Sequence, residues 1–113
     1  MRGFEFGTPF VETASGTARA TATHAAVTGK TYYITDISGS MKGPGDSTIV
    51  VKQGTTTIWQ DIIPSATTGT GNGVYIKNFD VPLKGASGAL VSVTVGTATA
   101  LSFANIAGYE LDF

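Results

Sequence analysis

The chain has 113 residues, 42% of them hydrophobic and 13% charged, with 15 Gly, 4 Pro and no Cys. One domain is expected at this length, and the absence of Cys excludes a disulfide framework and thiolate chemistry. Seven Lys and Arg against eight Asp and Glu leave a net charge of −1, which argues against nucleic acid or a membrane as partner, since both select a basic patch.

The N-terminal segment 1–17 reads as an extended arm. Gly3, Gly7, Pro9 and Gly16 punctuate it, yet it holds Phe4, Phe6 and Phe10, half of the six Phe. Such a cluster needs cover, either from the core as a first strand or from a neighbouring subunit, and inter-subunit contact through Phe4, Phe6 and Phe10 is the expectation. The start, Met1-Arg2-Gly3-Phe4-Glu5-Phe6, has no apolar stretch of the signal-peptide kind. No apolar run nears the ~20 residues of a membrane span, so a soluble protein made in a cytoplasm is expected.

Residues 18–113 read as a single β domain. Thr (18), Ala (13) and Ser (8) dominate beside Gly, a composition that penalises helix and suits strands joined by tight turns. Strands are expected at 18–27, 31–41, 47–53, 57–63, 74–81, 89–95 and 101–113. Gly54-Thr55-Thr56 marks a hairpin, 64–73 a loop, Pro82 a strand end and Gly108 a bulge. Seven strands about 12 residues apart predict an antiparallel β-sandwich or a jelly-roll-like small barrel with an extended N-terminal arm. Alternation places Tyr33, Ile37, Val51, Trp59, Ile76, Val91, Val93, Val95, Phe103, Tyr109 and Leu111 in the core.

Asp36-Ile37-Ser38-Gly39-Ser40-Met41 matches the metal-site motif of von Willebrand A-type domains, where an Asp and two Ser hold Mg²⁺. That motif opens a helix, whereas Lys42-Gly43-Pro44-Gly45 follows here. Asp36, Ser38 and Ser40 are therefore weak metal candidates, and the expectation is a strand pointing them to solvent. Gly29-Lys30-Thr31 has His24 where a phosphate-binding loop needs its first Gly, and 69–73 lacks the dinucleotide-binding spacing. His24, the lone histidine, reads as structural, Glu110 and Asp112 as a solvated pair, and the aromatics as packing rather than a sugar platform. No enzyme and no cofactor are expected.

With the strands laid out, the sequence resembles small β-sandwich virion proteins of phages. The likeness runs through THAAVTGKTYYITDISGS at 23–40, VVKQGTTTIW at 50–59, FDVPLKGASGALVSVTV at 79–95 and ANIAGYEL at 104–111. Its features are a Gly-Lys-Thr-Tyr strand entry, a Gly-Thr-Thr hairpin before Ile-Trp, a Pro-Leu-x-Gly turn and a terminal Gly-Tyr. The nearest analogy is to capsid decoration (cement) proteins. It implies a partner in the major capsid protein, self-association as a homotrimer, and a place on the outer capsid surface of the virion. It carries over no catalytic residue. The alternative is a tail or fibre module that binds a host-surface glycan through exposed aromatics and the loops 42–46 and 64–73.

Overall fold

The computed structural model describes residues 8–17, 19–42, 47–63, 72–96 and 101–112. They form eight strands: β1 (Thr8–Gly16), β2 (Ala20–His24), β3 (Lys30–Lys42), β4 (Ser47–Gln53), β5 (Thr56–Ile63), β6 (Asn72–Lys84), β7 (Val91–Val95) and β8 (Ser102–Asp112). The pairing is nested. β4 pairs with β5, β3 with β6, β2 with β7 and β1 with β8, all antiparallel. The chain is thus one long hairpin folded at Gly54-Thr55, which joins the paired Gln53 and Thr56. Two further pairings, β3 with β8 and β4 with β7, roll it into sheets ordered β1-β8-β3-β6 and β2-β7-β4-β5. That is a jelly roll, the all-β sandwich expected from strand spacing.

Alternation supplies the layer between the sheets. Ile49, Val51, Ile63, Val91, Val93 and Val95 face inward from one sheet, with Ile34, Ile37, Ala104 and Ile106 from the other. The sheets come closest where the residues are smallest. Gly39 on β3 pairs with Ala104 on β8, and a Cβ added at Gly39 would lie 2.5 Å from Val95 Cγ2. A side chain there would force the layers apart.

Three sequence expectations are corrected by local geometry. First, the register of β3 shifts between Ile34 and Asp36 against both neighbours. Tyr32 and Ile34 point inward before the bulge, and Ile37, Gly39 and Met41 after it, so Tyr33 faces out. Gly108 lies opposite the bulge, and a Cβ there would meet the Tyr33 carbonyl oxygen at 2.0 Å. Second, β8 turns Ser102, Ala104 and Ile106 inward and leaves Phe103 exposed, because the narrow interior beside Gly39 takes small residues. Ile76, also expected in the core, is exposed, and Tyr109 and Leu111 are half-buried. Third, β6 runs through Pro82 to Lys84. It is an edge strand, where a missing N–H costs little.

Residues 8–16 of the expected arm form β1, paired with β8 along their whole length at the edge of the sheet. Phe10 is 7% exposed and packs in the core of its own chain. Phe4 and Phe6 lie outside the described residues.

Candidate interaction surface

Pairing register fixes what the outer face of β1-β8-β3-β6 presents. Read from β1 to β6, its rows are Ser15, Phe103, Ser40, Val74; then Thr13, Asn105, Ser38, Ile76; then Val11, Ala107, Asp36, Asn78; and last Pro9, Tyr109, Tyr33, Lys84. Of these sixteen positions only Asp36 and Lys84 are charged, and the exposed Asp80 lies on β6 between the last two rows. Val11 (68% exposed), Val74 (60%), Ile76 (71%) and Phe103 (44%) stand out of it. Tyr33 and Tyr109 stack at 5.2 Å with their planes 9° apart, which caps one end of the face with a flat aromatic pair. The result is a broad, weakly charged surface of small residues studded with apolar ones.

The three metal candidates lie in this face. Asp36, at the bulge, accepts a hydrogen bond from Thr35 Oγ1 at 2.9 Å, and Ser38 Oγ accepts one from Asn105 Nδ2 at 3.1 Å. All three sit on a strand rather than at a loop before a helix. Among the described residues, no cluster of three or more His, Asp or Glu side chains could hold a metal. Asp36 and Ser38 instead rim a shallow depression walled by Val11, Ile76 and Ala107. It suits an apolar side chain of a partner better than an ion.

The sandwich is closed differently on its two sides. Where β1 meets β2, His24 stacks on Phe10 at 4.0 Å and meets the edge of Tyr32 at 4.6 Å. Its Nδ1 donates to Glu12 Oε2 at 2.8 Å, and its Nε2 lies 3.6 Å from Glu110 Oε1. Lys30 Nζ is 3.8 Å from Glu110 Oε2 and also donates to Asp112. The Asp112 hydrogen bond raises the Lys30 pKa, and burial, reinforced by Glu110, raises that of Tyr32. His24 is thus a structural tie between the sheets. Glu110, expected to be solvated, belongs to that tie.

Where β5 meets β6, Trp59, Tyr75 and Phe79 fill the gap, with Trp59 5.8 Å from Tyr75 and 5.5 Å from Phe79. Tyr75 OH donates to Asp61 Oδ2 at 2.7 Å. Burial and this bond push the Tyr75 pKa up to about 12, and the same bond holds Asp61 below the usual carboxylate range. The aromatics among the described residues are therefore divided among core, outer face and seam, and these form no common sugar platform.

No protein-family model matches the chain, and no curated protein sequence does. Among solved structures, one similar chain comes from a virus-like particle of the extra small virus of the prawn Macrobrachium rosenbergii. It shares 12% identity at a TM-score of 0.37, over 91% of this chain and 79% of that one. A chain of the Bacillus endospore appendages, described as disulfide-linked pili, shares 15% at 0.41, over 95% and 90%. PirA shares 10% at 0.40, over 92% and 93%. No helix among the described residues is long and apolar enough to cross a membrane.

Proposed function

We propose that the protein is a non-enzymatic structural component of a virion, a decoration protein that binds the major capsid protein on the outer shell and stabilises it. The observation that carries this reading is the outer face of β1-β8-β3-β6, with two charges among its sixteen positions. Its four prominent apolar side chains, spread over β1, β8 and β6, together expose roughly 400 Å² that a partner could cover. Buried at ~25 cal/mol per Å², that area is worth about 10 kcal/mol before association costs of about 4–15 kcal/mol. Docking of many copies on a lattice suits such a margin, because each contact stays modest while the shell gains from their sum. Phe4 and Phe6 add apolar contacts to a neighbouring subunit. The phage resemblance of the sequence supplies the identity of the partner.

The test is co-sedimentation with shells assembled from the major capsid protein alone. Wild-type protein is expected to pellet with the shells and to raise their melting temperature, and Val11→Asp with Phe103→Asp is expected to abolish both effects. Failure of the wild type to bind refutes the reading.

A further inference from the structure

The Asp36 carboxylate is the charge that docking of the outer face must bury. β3 is an inner strand of its sheet, and Asp36 stands in the third of the face's four rows. Lys84 and Asp80 sit on the edge strand β6, where a charge at the rim of a contact keeps its water. Thr35, left unpaired by the bulge in β3, donates to Asp36 Oδ2 at 2.9 Å. Among the described residues nothing donates to Oδ1, and no Lys, Arg or His pairs with the carboxylate. Asp36 is exposed, so water satisfies it in the free protein. A contact that strips this water away must return an opposite charge, because an unpaired buried carboxylate is strongly unfavourable.

The depression beside Asp36 fits the carrier of that charge. Ala107 is the smallest residue of its row, and Val11 and Ile76 stand beside it. The space is about 210 Å³, below the roughly 300–1,000 Å³ of a small-molecule pocket, and suits one side chain. Its walls are apolar and its rim accepts hydrogen bonds. Asn105 gives Nδ2 to Ser38, which leaves its amide oxygen as an acceptor beside Asp36, and Asn78 adds a second amide. We propose that this depression receives an arginine side chain of the shell, its stem on Val11, Ile76 and Ala107 and its guanidinium on Asp36. The assignment rests on the docking of this face on the shell. A long cationic side chain lays its methylenes along apolar surface and keeps its head at the polar edge. A bare cation would gain one carboxylate and lose the apolar walls. Charge selects a basic residue, and the rim selects arginine over lysine. Guanidinium is the less strongly hydrated cation and offers more donors, enough for the carboxylate and both amides. Arginine is also enriched at interfaces from which lysine is depleted.

Asp36→Asn keeps the shape of the side chain and an acceptor for Thr35 while it removes the charge. In co-sedimentation with shells of the major capsid protein, this variant should keep the far-UV circular dichroism of the wild type. Its dissociation constant should rise at least about tenfold, since the arginine is left buried and unpaired. Asp36→Lys should bind more weakly still. Ala107→Leu fills the depression and should weaken binding even though it adds apolar surface. Raising NaCl from about 0.05 M to about 0.5 M should weaken the wild type more than Asp36→Asn. Equal or tighter binding by Asp36→Asn overturns the proposal, because without an opposing cation the lost charge only removes a desolvation cost. An amide cross-link from Asp36 to a shell lysine in the carbodiimide-treated complex overturns it as well, by placing lysine at the site. If the wild type itself does not bind, the docking of the face falls and this assignment with it. Wild-type binding that Asp36→Asn leaves undiminished removes the arginine alone.

Discussion

The contact between Gly39 and Val95 offers a test of the sandwich that can be worked out from distances. A Cβ at Gly39 would sit 2.5 Å from Val95 Cγ2, 3.0 Å from Cγ1 and 3.2 Å from the Phe103 carbonyl oxygen. Carbon atoms prefer about 3.5–4.0 Å, so the sheets or the valine must give by about 1 Å. Overpacking of that size costs about 1–3 kcal/mol. Val95 is fully buried, and Val95→Ala alone should cost about 2–3 kcal/mol in lost transfer energy and cavity. In the double variant the clashing methyls are gone and the new methyl occupies their space. Its cost should fall short of the sum by about 1–2 kcal/mol, well above the additivity error of distant sites. Urea unfolding, followed by Trp59 fluorescence and circular dichroism, measures all four corners of the cycle. Additivity within about 0.5 kcal/mol would mean that Gly39 and Val95 do not face each other, and the packing described between β3 and β7 would be wrong.

Other consequences can be measured on the same scale. His24→Ala removes both the stack on Phe10 and the bond to Glu12 and should cost about 1–3 kcal/mol in chemical denaturation, with Glu12→Gln costing less. Tyr75, raised in the folded state from 10.0 to about 12, contributes stability that is complete below about pH 10 and lost as the pH rises towards 12. Asp61, lowered in the folded state, contributes stability above its ordinary value of 3.8 that is lost as the pH falls. Tyr75→Phe should flatten the pH–stability curve at both ends, and an unchanged curve would remove the seam bond from the account. Asp36→Ala should leave the melting temperature nearly unchanged with or without Mg²⁺, and a Mg²⁺-dependent rise that this variant abolishes would reinstate a metal site.

Elements whose pattern is local were readable from the sequence. β4 runs over Ser47–Gln53 as read, and the valines at 91, 93 and 95 point inward as alternation requires. What eluded the sequence is set by distant partners. The bulge in β3 becomes visible only against Gly108, seventy residues on, and it exchanges Tyr33 for Tyr32 in the core. Large side chains on β8 suggest an inward Phe103, but the sheets approach too closely at Gly39 to admit it. Glu12, His24 and Glu110 come from three strands, and no spacing announces their contact. The outer face is likewise a product of register, since its sixteen residues come from four separate stretches.

The central claim, a shell protein acting through that face, is tested most directly by a cryo-EM map of the particle at a resolution that separates the two sheets. The account predicts density for this domain on the outer capsid surface, with β1-β8-β3-β6 turned towards the major capsid protein and Val11 and Phe103 at the contact. Density confined to the tail or its fibres, or a domain seated on the β2-β7-β4-β5 face, would contradict it.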